Sequence, residues 1–583
     1  MTQSPPGPSE APISDRDRTV IYLAILTALF LAALDQTIVS TALPKIVEDL
    51  RGVDRYAWVA TAYLLASTAL ALVYGKLADT YSRKHVTLGA MGLFLLGSVL
   101  CGLSGEFGDL PLLGDGMSQL ILFRGIQGAG GGGLFAMTFI VIADLFTPAE
   151  RGKYQGFVGA VFGVASLLGP LLGGLLTDHA GGVIPGIEGW RWVFYVNVPV
   201  GGVALWFIVR RMPRLEPPGD RLPPDLLSGA LLLGGLIPLI LSLQLDKRAY
   251  PWLPGLGAEA DAGAWNSWVT VVLFASGLVL LAGFVLRSRT SPSPILDMRL
   301  FENRVFRTAN LTTFFFGSAF MSITIFLPLF LVNILGVSAT RAGAALIPFS
   351  LGLVFSATLA GQIVARVGYR RQIFLGALVF LAALILLARM GLDVPYWRVM
   401  LYMILAGLGT GPSMPLFTLA IQNAVDVRFV GQATSASQFF RQTGATVGAA
   451  IMGTVLATTL AVAFSTMELP AALTARPGSS IEELVSTGGA DLPERIGSVY
   501  ALLAEQAATP EEAAGLRAQG VLAAERVSIE VRQAFTDAKS RIYWLAAFVL
   551  LLAAGLSLRI PELPLRTTHD RASVEPSDSG NTS

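Results

Sequence analysis

The sequence is poor in the residues on which disulfides, metal sites and nucleic-acid surfaces depend. Its 583 residues include one cysteine, Cys101, so no intramolecular disulfide can form. The three histidines, His85, His179 and His569, lie far apart and lack the spacing of metal ligands. Charged residues make up 14% of the chain, the net charge is +1, and no basic run is long enough to bind a nucleic-acid backbone. We therefore expect no metal site and no nucleic-acid partner.

The motifs of several common enzyme classes are missing as well. The chain has no H-E-x-x-H zinc motif, no G-x-S-x-G nucleophile turn and no Walker loop for nucleotide phosphates. The sequence therefore predicts a protein that is not an enzyme, needs no cofactor and is not driven by ATP.

Apolar residues dominate what is present. Hydrophobic residues make up 53% of the chain, and 62 glycines are spread through long apolar stretches. The mean hydropathy is +0.63. An average soluble protein has about 25% charged residues, and a soluble fold could not keep this much apolar surface out of water. The composition predicts an all-α polytopic membrane protein.

Fourteen stretches are long and apolar enough to cross a membrane, which takes roughly 20 residues of helix. They lie near 20–43, 57–79, 86–104, 118–143, 154–177, 193–210, 226–245, 267–287, 310–333, 342–364, 372–390, 398–422, 434–462 and 541–559.

Arginine and lysine are concentrated in the loops that follow even-numbered spans. Arg83 and Lys84 follow span 2, and similar basic clusters follow spans 4, 6, 8 and 10. Because cytoplasmic loops carry the excess of positive residues, we expect both termini to be cytoplasmic. The N-terminal segment 1–18 is rich in Pro and Ser, and we expect it and the tail 561–583 to be disordered.

The long external loop 463–540, between spans 13 and 14, is acidic, and its second part has a helical pattern. Thr509, Pro510 and Glu512 predict a helix start, with Thr509 as the N-cap and Glu512 closing a capping box. From Val521 onward the sequence is compatible with a helix that continues into span 14. We therefore predict a helical hairpin whose second arm extends span 14 outward. The loop is either a solvated spacer or a gate or partner-binding surface.

A short motif recurs eight spans apart. Segment 75–84 lies between spans 2 and 3, and 361–371 lies between spans 10 and 11; each has a glycine near the end of a span and then a tight basic turn. The offset predicts that spans 9–14 repeat spans 1–6, with spans 7 and 8 inserted. Two pseudo-symmetric halves around a site near mid-membrane are typical of alternating-access transporters. The predicted units are an N-terminal six-helix half, a linker with two extra helices and a C-terminal six-helix half, at 19–212, 213–309 and 310–560.

Asp35 in span 1 and Arg124 in span 4 are charged side chains within apolar helices. A charged group at the bilayer centre costs about 2.5–3.5 kcal/mol on insertion scales. Desolvation favours the protonated form of a carboxyl group, so Asp35 is a candidate for loading and releasing protons. The always-charged guanidinium of Arg124 needs an anionic partner or a wet cavity, and Asp35 is the natural candidate. The alternative is that Asp35 is a structural carboxylate that hydrogen-bonds a neighbouring helix.

Span 5 contains a glycine-rich stretch suited to close helix packing. Small residues at about four-residue spacing let helices touch. The glycines concerned are Gly163, Gly169, Gly173 and Gly174. Pro170 removes a backbone hydrogen bond and is expected to kink the helix.

The segments 34–44, 75–84, 124–132 and 163–174 together resemble the motifs of the fourteen-span drug:proton antiporter branch of the major facilitator superfamily. The resemblance implies the major facilitator fold with 14 transmembrane helices, in the cytoplasmic (inner or plasma) membrane of a bacterium. It also implies export, because 163–174 is similar to the motif typical of the superfamily's antiporters, in contrast to its uniporters and symporters.

The resemblance also implies a conformational latch. In the family, the acid that corresponds to Asp79 meets the cytoplasmic end of a helix in the other half, which here would be span 13. Gly75 and Arg83 belong to the same motif. An anion at a helix N-terminus is favourable by about 0.3–1 kcal/mol when exposed, so this contact would bias one conformation.

The resemblance assigns proton coupling to Asp35 and Arg124. A substrate cavity is expected between the halves, and its candidate residues are Gln36, Gln127, Arg441, Phe316 and Phe320. The alternative for the phenylalanines is that they face lipid.

These features predict a proton-driven exporter of lipophilic, cationic or neutral small molecules, with no cofactor. A proton from outside loads Asp35, the loaded state reorients, and proton release inside competes with substrate binding. One alternative is an exporter of an endogenous lipid or metabolite; another is a receptor or assembly protein, which would not need a buried Asp and Arg in separate helices. We expect a monomer whose partners are protons, membrane lipids and a small lipophilic substrate, with an accessory envelope protein as an open alternative.

Overall fold

The structure is a computed structural model, and it describes residues 14–50, 55–108, 114–180, 187–216, 222–243, 268–337, 341, 344–467, 492–507 and 509–565. Every helix or strand that the structure shows in these ranges is a helix. Thirteen helical segments within the described residues are long and apolar enough to cross a membrane. The predicted class, an all-α polytopic membrane protein, is therefore confirmed.

The helices of the first half begin and end close to the predicted spans. They are α1 (Asp15–Asp49), α2 (Tyr56–Thr80), α3 (Arg83–Gly102), α4 (Gly116–Leu145), α5 (Pro148–His179), α6 (Trp192–Tyr195) and α7 (Asn197–Arg211). Helix α1 starts where Ser14 caps it, with the Ser14 hydroxyl accepting the Asp17 N–H at 3.1 Å. The segment predicted to be disordered, 1–18, is thus helical from Asp15 onward, and 1–13 lies outside the described residues.

The predicted inserted pair is represented by α8 (Leu226–Ser242) and α9 (Trp268–Thr290), which pack against each other. Helix α8 has 17 residues, about 26 Å at 1.5 Å per residue, against a hydrocarbon core of about 30 Å. It is the one predicted span that is not among the thirteen longer segments. The count of fourteen spans therefore stays a prediction.

The second half begins with a helix that contains a π-helical turn. Its elements are α10 (Arg304–Met321), the π turn Ser322–Phe326, α11 (Leu327–Leu335), α12 (Leu346–Val367), α13 (Tyr369–Ala388), α14 (Tyr396–Thr410), α15 (Ser413–Ala424), α16 (Val430–Ser465), α17 (Leu492–Glu505) and α18 (Pro510–Ser557). A turn at 411–412 divides the predicted span 12 into α14 and α15.

The two halves contact each other through two helix pairs, and the predicted repeat relates one pair to the other. Helix α2 packs on α16, and α12 packs on α5. Gly75 and Gly431 allow the first contact, since a Cβ on either would lie 2.7 Å from the other's carbonyl oxygen. A Cβ on Gly152 would likewise lie 2.7 Å from the carbonyl oxygen of Gly361. Both segments of the recurring motif therefore contribute a glycine to a contact between halves, as an offset of eight spans requires. The boundaries predicted for the units stay predictions.

The loop 463–540 contains the predicted hairpin, since α17 packs on α18. Thr509 caps α18, with its hydroxyl accepting the Glu512 N–H at 3.2 Å. Helix α18 has 48 residues, about 72 Å, so it extends far beyond a bilayer core. Within the loop, 468–491 and residue 508 lie outside the described residues.

The C-terminal segment differs from the prediction of a tail disordered from residue 561. The Glu562 carboxylate accepts the backbone N–H groups of Tyr369 at 2.8 Å and Arg370 at 3.1 Å, and so caps the start of α13. The Asn423 amide donates to the Pro564 carbonyl oxygen at 3.1 Å. Residues 561–565 are therefore ordered against the second half, because the orphan N–H groups of α13 need an acceptor; 566–583 lie outside the described residues.

Candidate functional site

Asp35 of α1 and Arg124 of α4 lie together in the core of the first half. Arg124 Nη1 donates to Asp35 Oδ2 at 2.5 Å, and both side chains are buried. Arg124 Nη1 also donates to Gln127 Oε1 at 2.7 Å. The guanidinium carbon lies 4.4 Å from the centre of the Tyr63 ring, a cation–π contact. The structure thus brings together the two charged residues that the sequence singles out.

Two amide side chains complete the surroundings of the Asp35 carboxylate. Gln127 Nε2 donates to Asp35 Oδ1 at 2.8 Å, and Asn197 Nδ2 donates to the same oxygen at 3.2 Å. Asn197 Nδ2 also donates to Ser98 Oγ at 3.0 Å, while Asn197 Oδ1 is buried with no hydrogen-bond partner among the described residues. Sequence analysis missed Asn197 and Ser98. An amide at the start of the apolar stretch of span 6 was the signal available for Asn197.

This network makes the charge of Asp35 and the position of three helices interdependent. Asp35, Arg124 and Asn197 lie on α1, α4 and α7, and the contacts join these helices. The ionised carboxylate accepts hydrogen bonds on both oxygens, and each hydrogen bond to a charged group contributes about 1.5–3 kcal/mol.

The predicted latch acid, Asp79, lies at the N-terminus of α16. Its two carboxylate oxygens accept the backbone N–H groups of Gly431 at 2.9 Å and Gln432 at 2.7 Å. Helix α16 has no side-chain cap of its own, because its N-cap residue is Phe429. A carboxylate supplied by the first half therefore satisfies N–H groups at the start of a helix in the second half.

Arg83, the basic residue of the same motif, is held by a residue that sequence analysis missed. Arg83 Nε donates to Asp144 Oδ2 at 2.8 Å, and Arg83 Nη2 lies 3.8 Å from Asp79 Oδ1. Asp144 is the penultimate residue of α4. The ion pairs connect the turn after α2 to the end of α4 and orient Arg83 toward the latch.

The pseudo-symmetric contact between α12 and α5 has no such latch. Ala365 stands where the repeat places the counterpart of Asp79. Helix α5 is instead capped from within its own chain segment, since the Thr147 N–H donates to Glu150 Oε2 at 3.0 Å. The carboxylate cap between halves is therefore present on one side of the pseudo-two-fold axis.

The glycines of span 5 face two different helices. Gly163 faces α12, where an added Cβ would lie 3.3 Å from the Ser350 carbonyl oxygen. Gly169 and Gly173 face α1, and a Cβ on Gly173 would lie 2.7 Å from the Ile38 carbonyl oxygen. Close packing on α1 and on the second half thus comes from one stretch of α5.

One expectation for this stretch needs correction. A Cβ added to Gly174 would have no described atom within 4 Å, because one residue further along a helix points about 100° away from the face of Gly173. Gly174 is not a packing glycine. Pro170 is exposed and lies within α5, and the kink expected there stays a prediction.

Three of the five predicted cavity residues line one cavity between the halves. Phe316, Phe320 and Arg441 do so, together with other residues of α10, α14, α15 and α16 and one phenylalanine each from α4 and α5. Gln127 is instead buried beside Asp35, and half-buried Gln36 is not among the lining residues. That these two glutamines contact a substrate stays a prediction.

Comparisons with known proteins place this geometry in context. The sequence profile described as Major Facilitator Superfamily matches residues 25–449. The chain is 37% identical over 439 residues to "Multidrug transporter protein MdtP" of Bacillus subtilis (strain 168), covering 75% of each. It is 35% identical over 436 residues to "Multidrug resistance protein 3" of the same strain, covering 75% of this chain and 79% of the relative. A solved structure of the proton:xylose symporter XylE is similar in fold, with a TM-score of 0.55 at 12% identity, covering 94% of this chain and 96% of that one.

Proposed function

Because the chain belongs to the major facilitator superfamily, we propose that it is a proton-coupled antiporter that exports lipophilic small molecules across a bacterial cytoplasmic membrane. The observation that carries the proposal is the buried ion pair of Asp35 and Arg124. The two Bacillus subtilis relatives are named as a multidrug transporter and a multidrug resistance protein, which supports drug-like molecules as substrates.

In the proposed cycle, the proton acts on contacts among α1, α4 and α7. Protonation of Asp35 removes the negative charge that Arg124 Nη1 and the Gln127 and Asn197 amides face. The ion pair weakens, and the helices that it joins can rearrange. Release of the proton restores the pair. A change in protonation thereby alters the relative free energies of two conformations, which is what coupling requires.

The latch supplies the second conformational element of the proposal. The positive residues near Arg83 support a cytoplasmic location for the contact between Asp79 and α16. The arrangement described here is then the state in which the cytoplasmic ends of the halves are closed. Opening toward the cytoplasm separates Asp79 from the N–H groups of Gly431 and Gln432. The proposal further includes a monomer with both termini in the cytoplasm, driven by the proton gradient without a cofactor.

Efflux from proteoliposomes under an imposed pH gradient tests the proposal. Proteoliposomes that contain the full-length protein would be loaded with ethidium, a lipophilic cation, or with Nile red, a neutral lipophile. The variants are Asp35→Asn and, as a matched control on the same helix, Asp49→Asn, since Asp49 is exposed at the end of α1. We expect gradient-dependent efflux from the wild type and from Asp49→Asn but not from Asp35→Asn.

Thermal unfolding of each variant checks that the loss is not caused by misfolding, because Asp35→Asn leaves Arg124 without its carboxylate. Asp35→Glu, which keeps the acid, should recover part of the efflux. Gradient-driven efflux that survives in Asp35→Asn would place the proton site elsewhere. Efflux that ignores the pH gradient in the wild type would rule out antiport with protons.

A further inference from the structure

Among the described residues that line the cavity between the halves, one side chain is charged, Arg441 on α16, and none is an aspartate or glutamate. In the part of the chain that the structure describes, no carboxylate forms an ion pair with this guanidinium. A charge at this depth in a membrane protein is costly unless something compensates it.

Arg441 is half-buried, whereas the buried arginines in the described residues are compensated within the protein. Three of them form ion pairs: Arg83 with Asp144, Arg124 with Asp35, and Arg191 with Glu106. A fourth, Arg151, donates to the carbonyl oxygens of Phe146 and Ala143 at the negative end of α4. Among the described residues, Arg441 has neither an acid nor a helix end as its partner.

The contacts of Arg441 leave most of its donors unused. Nε and Nη2 both donate to a single neutral acceptor, Gln438 Oε1, at 3.1 and 2.5 Å. A guanidinium has five N–H donors. Nη1 has no hydrogen-bond partner in the described residues, and it is not among the buried unpartnered atoms, so it is accessible from the cavity. Gln438 thus orients the group and leaves one edge of it open.

Two of the hydroxyl groups that line the cavity already donate within their own helices. Thr313 donates to the Ala309 carbonyl oxygen at 2.8 Å, and Ser413 donates to the Thr410 carbonyl oxygen at 2.6 Å. Since these protons are bound within their own helices, the two hydroxyl groups present acceptors to the cavity. Among the described residues that line the cavity, the Arg441 guanidinium is the charged donor.

We propose that this cavity binds a lipophilic organic anion: a flat aromatic body packed on Phe316, Phe320 and Phe417, with a carboxylate or phenolate oxygen on Arg441. The inference takes the direction of transport from the proposed export function, whereas the charge preference is a property of the cavity itself. A cationic substrate, as predicted from sequence, would lie beside an uncompensated guanidinium with no acid to balance it. The anion supplies the negative counter-charge that the protein does not place beside this arginine.

Three probes of nearly identical shape and different charge test the proposal: naphthalene-2-carboxylate, naphthalene-2-carboxamide and naphthalene-2-carboxamidine. Their binding to the purified full-length protein in lipid nanodiscs is measured with radiolabelled probe. The wild type should bind the carboxylate most tightly and the amidinium most weakly. Arg441→Gln should weaken the carboxylate roughly 10- to 100-fold, the effect of losing one charge-assisted pair, and the carboxamide less than about 3-fold.

Two further variants separate charge from packing. Arg441→Lys keeps the charge and should retain part of the preference for the carboxylate. Arg366→Gln removes an exposed arginine on α12 and should leave all three probes unaffected. Unchanged carboxamide binding reports that Arg441→Gln is folded. Tighter binding of the amidinium to the wild type, or an equal loss of carboxylate and carboxamide in Arg441→Gln, would overturn the proposal.

The same preparations distinguish this proposal from the proposed function. A carboxylate preference that depends on Arg441, without gradient-driven efflux of any probe, would reject antiport and retain the anion site. Gradient-driven efflux without a charge preference that depends on Arg441 would reject the anion site and retain antiport.

Discussion

Replacing Asp79 with asparagine removes the charge that caps α16 and leaves the size of the side chain almost unchanged. The carboxylate accepts N–H groups from Gly431 at 2.9 Å and Gln432 at 2.7 Å. An asparagine keeps one acceptor oxygen, so one hydrogen bond is lost and the other becomes neutral. Hydrogen bonds contribute about 1.5–3 kcal/mol when one group is charged and about 0.5–1.5 kcal/mol when both are neutral. We therefore expect the latched state to lose about 2–4 kcal/mol.

Such a loss shifts the equilibrium between latched and open states by roughly 30-fold to several hundred-fold, since each 1.4 kcal/mol is a factor of ten. Spin labels attached at the positions of Tyr81 and Arg428, which are exposed and lie on opposite sides of the contact, report this shift as a change in the distance distribution between them. The wild type should show a short distance, and Asp79→Asn should add a longer one. Asp49→Asn is the control. An unchanged distribution in Asp79→Asn would refute the reasoning that this carboxylate holds the halves together.

The remaining predictions concern packing and pH. Gly173→Ala should lower the thermal unfolding temperature, because its Cβ would lie 2.7 Å from the Ile38 carbonyl oxygen. Gly174→Ala, with open space around its Cβ, should leave the unfolding temperature equal or slightly higher. Equal effects of the two substitutions would argue against the α1 contact. The hydrogen bonds from Arg55, at 2.9 and 2.6 Å, hold the pKa of Asp115 below its ordinary value. Because the folded-state pKa is the lower one, this stabilisation is present above about pH 4 and is lost as the pH falls through the folded-state pKa. Arg55→Gln should therefore lower the unfolding temperature at pH 7 and have less effect at pH 3, and a pH-independent effect would contradict the assignment.

The positions of the helices could be predicted well from local patterns. The Thr509 cap and the hairpin that follows were predicted because capping depends on residues three positions apart. The start at Asp15 and the ordered segment 561–565 were not. The Ser14 cap lies in a Pro- and Ser-rich stretch that resembles disordered sequence. Glu562 binds Tyr369 and Arg370, which are nearly two hundred positions away.

In the candidate site, too, some residues could be predicted from local patterns and others depend on contacts between distant parts of the chain. Asp35 and Arg124 are recognisable because a charge within an apolar helix is expensive wherever it stands. Asn197 donates a hydrogen bond to Asp35, and Asp144 accepts one from Arg83. Neither has a comparable signal in the sequence, since an amide or an acid near a helix end is common. Gln127 was predicted to line the substrate cavity, and in the structure it hydrogen-bonds Asp35.

The sequence by itself determined that this protein is a helical membrane protein, where most of its helices run, that Asp35 and Arg124 are charges within apolar helices, and which motifs recur in the two halves. These are properties of composition and of short windows, and a membrane makes them decisive because hydropathy alone separates spans from loops. Tertiary structure decided which groups meet: Asp79 on the start of α16, Gly173 but not Gly174 on α1, and Arg441 facing a cavity without an acid. The reason is geometrical. Each residue turns a helix face by about 100°, so contacts between helices depend on rotation and packing that no local pattern specifies.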